Sequence, residues 1–145
     1  VEGHGLVGAR FEAKPDAETG FTLFQPVATL GGVKRPEHRR ALALRLRPNQ
    51  DITLALEDAT RQRDLARATL SGGVGSIIGA RFEGQPPVET FATEMFVADA
   101  LIDAEGRDSS IDAGLVDLTG AVAAGRLVLG DNPILMTLEA ALVEA

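Results

Sequence analysis

A motif near the start of this chain recurs near its middle, and the repeat narrows the folds open to it. Gly8-Ala9-Arg10-Phe11-Glu12 returns as Gly79-Ala80-Arg81-Phe82-Glu83, an offset of 71, and at that offset Pro15 matches Pro86, Glu18 matches Glu89 and Thr19 matches Thr90. Eight identities thus fall within the twelve positions 8–19. A second anchor lies further on, where Ile52, Leu54, Leu56, Glu57 and Ala59 resemble Ile134, Met136, Leu138, Glu139 and Ala141 at offset 82. The chain therefore reads as two related units, 1–71 and 72–145, sharing one compact domain. Two units are too few for a solenoid, which needs at least three.

The periodicity within each unit points to strands. Leu42, Leu44 and Leu46 alternate with Ala43 and Arg45, as half-buried strands do. Ile52, Leu54 and Leu56 alternate in the same way, and Pro48-Asn49-Gln50-Asp51 between the two runs has turn chemistry, so a hairpin is expected here. Residues 6–14 and 21–30 read as two more strands, with Pro26 placing the second at an edge or a bulge. The best helix runs over 58–70, stopped by Gly72-Gly73. Residues 88–102 carry apolar residues at helical spacing, but their counterpart in the first unit holds Gly20 and Pro26, so they are taken as extended. The expected fold class is mainly β, with two duplicated β units forming a sandwich or barrel and one or two short helices. The glycines of Gly72-Gly73-Val74-Gly75 are expected to permit positive φ or a close backbone approach.

Composition bounds the chemistry. The 145 residues are 45 % hydrophobic and 24 % charged, ordinary for a folded domain. Cysteine is absent and histidine occurs twice, as His4 and His38, too few to supply the His or Cys ligands of a typical zinc site. Ser71, Ser76, Ser109 and Ser110 are the candidate nucleophiles, and none lies in a G-x-S-x-G elbow. Gly3-His4-Gly5-Leu6-Val7-Gly8 matches a dinucleotide pattern by spacing but is followed by a strand, so it reads as flexible glycines. The oxygen-rich stretch 103–112 lacks the EF-hand order and reads as a loop turning at Gly106. No enzyme activity, cofactor or metal is expected. There is no apolar run near the length of a membrane span and no signal peptide in these residues.

Charge separates the two units. Over 1–71 there are 11 basic and 9 acidic residues, net +2, and over 72–145 there are 3 basic and 12 acidic, net −9. Segment 34–47 concentrates the positive charge, and 99–117 the negative. At the repeat offset these stretches nearly coincide, which suggests head-to-tail association between a basic patch (Arg35, Arg39, Arg40, Arg45, Arg47) and an acidic one (Asp103, Glu105, Asp108, Asp112). The expected function is a non-enzymatic assembly protein forming homo-oligomers through charge-complementary β units, such as a virion or shell component. The alternative is a small-ligand or anion-binding module using 34–47. Self-association is the expected partnership, and other structural subunits are admitted. Nucleic acid is discounted because the whole chain carries −7, and a membrane is not expected. The expected location is the cytoplasm or an assembled particle.

Overall fold

The computed structural model describes residues 9–28 and 40–145. Eight strands and one helix follow in the order β1 (Ala9–Pro15), β2 (Thr22–Ala28), β3 (Ala41–Leu46), α1 (Ile52–Gln62), β4 (Arg67–Ile77), β5 (Thr93–Asp103), β6 (Ser110–Asp117), β7 (Val122–Arg126) and β8 (Ile134–Glu144). β1 and β2 pair as a two-stranded sheet, while the others form a six-stranded antiparallel sheet in the order β3-β8-β4-β5-β6-β7. The mainly β expectation holds in its sandwich form: the sheets are open and do not close into a barrel. Among the described residues, no helix is long and apolar enough to cross a membrane.

Several local expectations are met for the reasons first given. The strand at 41–46 falls where alternation placed it, those at 9–15 and 22–28 fall on the stretches 6–14 and 21–30 read as strands, and 93–103 is extended. Pro26 lies on β2, whose one ladder partner among the described residues is β1, so its missing N–H breaks no central ladder.

The segment after β3 is a correction. Residues 52–57 form the first half of α1 and no hairpin is made. Asp51 accepts a hydrogen bond from Leu54 N (3.0 Å) as N-cap, and its other carboxylate oxygen accepts from Asn132 N at 2.8 Å. Ile52 and Leu56, four residues apart, then share one buried face with Thr60, while Leu54 points to solvent. The same apolar spacing fits a strand and a helix over so few residues, and the cap decides. The helix expected over 58–70 accordingly ends at Gln62, and β4 begins at Arg67.

The repeated stretches adopt different structures. Residues 9–15 form β1, whereas 80–88 is a loop tied by the isolated bridges Ala80–Val88 and Phe82–Leu127. The second anchor is helix in α1 and strand in β8, and the 71/72 boundary falls inside β4. One core serves the six-stranded sheet: α1 lays Ile52 and Leu56 over the face that also buries Met95, Ile102, Leu138 and Leu142. β4 and β8 come so close that a Cβ on Gly75 would lie 2.1 Å from Thr137 O, which is the close approach expected of this glycine cluster. Fully buried Asn132 closes the far end, accepting from Arg81 N (2.8 Å) and donating to Val128 O (2.8 Å).

Candidate interaction face

The face of the six-stranded sheet turned away from α1 is where the molecule departs from ordinary surface chemistry. Ladder partners share a face, so one row across it runs Ala124, Gly114, Phe96, Val74, Glu139, Arg45, from β7 to β3. A second row runs Val122, Val116, Glu94, Ser76. Val74 is 61 % exposed and Phe96 is 53 % exposed. Val116 and Val122 are exposed beside them, as are Phe91 and Leu118 in the turns at the same end of β5 and β6. The Phe96 ring lies on the backbone of Gly114, whose missing Cβ would come within 2.6 Å of Cε1 and Cζ. A groove of about 500 Å³ runs over this face, floored by Val74, Phe96 and Val116 and walled by Met136, Glu94 and Glu139. The four exposed apolar side chains that the ladder puts on this face, Val74, Phe96, Val116 and Val122, present roughly 400 Å² of surface, within the range of the largest patch on a typical monomer.

Asp117 holds the turn that carries Leu118 and leads into Val122 of β7. Its carboxylate is held down to about 2, first by the Thr119 hydroxyl and then by the N–H groups of Thr119 and Ala121 and the Thr90 hydroxyl, with desolvation opposing. Because the folded value lies below the ordinary 3.8, this stabilisation is complete above about pH 4 and is lost as pH falls towards 2. Urea melts are therefore expected to show Asp117→Ala less stable than wild type at neutral pH, with the gap narrowing across that acidic interval.

The charged residues singled out in the sequence are dispersed. Arg35 and Arg39 lie outside the described residues. Arg40 pairs with Glu144 (2.9 Å) and donates to the carbonyls of Arg63 and Asp64, at the C-terminal end of α1. That pairing raises Arg40 and lowers Glu144. Arg45 lies on the outer face beneath the β1–β2 hairpin, its side chain 7 % exposed and 3.7 Å from Asp16. Arg47 follows the opposite end of β3 from Arg40, so the two are roughly 20 Å apart along an extended chain. Residues 40–47 therefore form no continuous basic patch.

The acidic group is brought together only in part. Asp103, Glu105 and Asp108 share the β5–β6 turn, where Arg67 pairs with Asp103 (3.2 Å) and with Asp108. The N–H of Glu105 donates to Asp103 (2.8 Å) and is the main cause of that carboxyl's lowered pKa, with Arg67 adding to it. Asp112 sits apart, held bidentately by Arg126 at 3.0 and 2.8 Å, which lowers its pKa. No cluster of three or more His, Cys, Asp or Glu suited to a metal ion occurs among the described residues.

The apolar face was not anticipated from the sequence. Its signal was present: Phe96 and Val74 occupy the outward parity of strands whose inward positions are already apolar, the pattern of strands covered on both sides.

No known family and no curated protein matches the chain. Solved structures do share its fold. A plant- and prokaryote-conserved (PPC) protein from Pyrococcus horikoshii matches 72 % of this chain and 78 % of its own, at 16 % identity and TM-score 0.56. A candidate DNA-binding protein from Ralstonia eutropha JMP134 matches 74 % and 83 %, at 19 % identity and TM-score 0.57. Another candidate DNA-binding protein, from Bacteroides thetaiotaomicron, matches 74 % and 84 %, at 13 % identity and TM-score 0.56. At these identities the likeness establishes the fold alone.

The dismissal of nucleic acid is corrected by these neighbours, two of which are named for DNA binding. Net charge is a sum over the chain and does not describe any one surface. Here the basic side chains Arg40, Arg61, Arg67 and Arg107 gather at one end of the sheet, around the residues that follow α1 and the β5–β6 turn.

Proposed function

We propose that this chain is a non-enzymatic assembly protein that forms homo-oligomers, with the outer face of the six-stranded sheet as the contact. The observation that carries this reading is the group of exposed apolar residues across two neighbouring rows of this face, Val74 and Phe96 in one and Val116 and Val122 in the other. Burying roughly 400 Å² of such surface is worth about 10 kcal/mol before the cost of association, which is itself about 4–15 kcal/mol. The charges first assigned to the contact contribute less, because Arg40, Arg45, Asp103, Asp108 and Asp112 already pair within the chain. Salt separates the two driving forces. An apolar contact keeps its mass by light scattering when ionic strength is raised from about 0.05 M to about 0.5 M, whereas one held by exposed charges loses mass.

A second reading, nucleic-acid binding, is favoured by the names of two fold neighbours and by the arginines gathered at one end of the sheet. Their carboxylate partners, Glu144, Asp103 and Asp108, compete with phosphate there. Titration with duplex DNA tests it, since phosphate contacts give an affinity that falls steeply with salt.

A further inference from the structure

The β1–β2 hairpin is built inside out. Its register pairs Phe11 with Pro26 and Ala13 with Phe24, so one face is apolar, while the opposite face carries Arg10, Glu12, Lys14 and Gln25 with Leu23 and Val27. The apolar face is the outward one: Ala13 and Pro26 are exposed, Phe24 is 57 % exposed, and Leu23 on the other face is buried. An isolated two-stranded hairpin is at best marginally stable in water. Among the described residues this one is tied to the larger sheet by Asp16–Arg45 (3.7 Å) and by a weak hydrogen bond from Asn49 to Glu18 (3.4 Å). It covers the Arg45 end of the outer face and leaves the Val74–Phe96–Val116 part bare.

We propose that the apolar face of this hairpin is the partner surface for the bare sheet face of a second copy, so that copies join head to tail. The inference rests on the reading of that sheet face as an assembly surface. Charge decides between the two ways of covering it. The bare part of the sheet face carries Glu94, Asp99, Asp112 and Glu139 against Arg126, so stacking it on its own image opposes like charges. The apolar hairpin face presents no charged side chain, because Arg10, Glu12 and Lys14 lie on its opposite face, so it meets the acidic sheet face without like-charge opposition. A contact between two different surfaces either closes into a ring or runs on as a filament, according to the rotation it imposes.

The test uses Phe24→Glu and Phe96→Glu, each spoiling one of the two surfaces. Each alone is expected to show the mass of a single chain in light scattering, with association weakened at least a hundredfold. Mixed in equal amounts they retain one intact hairpin face and one intact sheet face, and the expected product is a dimer and nothing larger. Ala13→Glu, on the same hairpin face as Phe24, repeats the experiment without removing an aromatic ring. If Phe24→Glu and Ala13→Glu both keep the wild-type mass, the hairpin is not in the contact and the proposal fails while the sheet-face reading stands. A mixture that stays monomeric also overturns it. Wild type that is itself monomeric removes the reading beneath it.

Discussion

Phe96→Glu is expected to leave a folded single chain where wild type forms a larger species. Phe96 sits at the middle of the outer row, between Val74 and Gly114, the position where truncating an aromatic side chain usually costs most. Removing the ring forfeits about 2–3 kcal/mol of burial, and a carboxylate placed in the contact adds a desolvation penalty beside Glu94 and Glu139. A total above about 3 kcal/mol weakens association more than a hundredfold. The fold survives because the ring is half exposed and lies on the face away from the core, over the backbone of Gly114. An unchanged circular dichroism spectrum with a reduced scattering mass is the expected pair of results.

Gly75→Val is expected to do the opposite, damaging the fold itself. Gly75 faces Leu138 across β4 and β8, and a Cβ there would sit 2.1 Å from Thr137 O and 2.6 Å from Leu138 Cα. Both are backbone atoms, so no rotamer relieves the overlap and the two central strands must separate. The cost is about 3 kcal/mol or more, the upper end for overpacking, and the melting temperature should fall by about 10 °C. Glycine is required at this point by the proximity of β8, and its φ lies outside the left-handed region.

The parts of the fold legible in the sequence were those whose signal is local and unambiguous. Leu42, Leu44 and Leu46 leave little choice but a strand, and Pro26 announces an edge by its missing N–H. Residues 52–57 misled because six residues with apolar positions at alternate places also satisfy the i, i+4 spacing of a short helix. The deciding group, Asp51, works through Leu54 N and Asn132 N, and the second of these partners is far away in sequence. The repeat misled in a similar way: Gly-Ala-Arg-Phe-Glu becomes strand β1 beside β2 at one site and a loop bridged to Leu127 at the other. Neighbours that lie elsewhere in the chain determine which form each copy takes.

The candidate site was legible as residues but not as a surface. Charge runs show in one dimension, yet the pairings that neutralise them span the chain, as Arg40 with Glu144 across 104 positions. Arg45 is hidden by Asp16 from a hairpin whose placement over β3 no spacing rule foretells. The apolar row across Val74, Phe96 and Gly114 exists only once β4, β5 and β6 are in register, and each residue alone reads as ordinary.

The most direct measurement is the absolute mass of the wild-type chain by light scattering after size exclusion, over a dilution series. Covered apolar sheet faces predict a multiple of the single-chain mass that yields to the single chain only at low concentration. The mass of one chain at every concentration, with Phe96 open to water, would contradict assembly through this face.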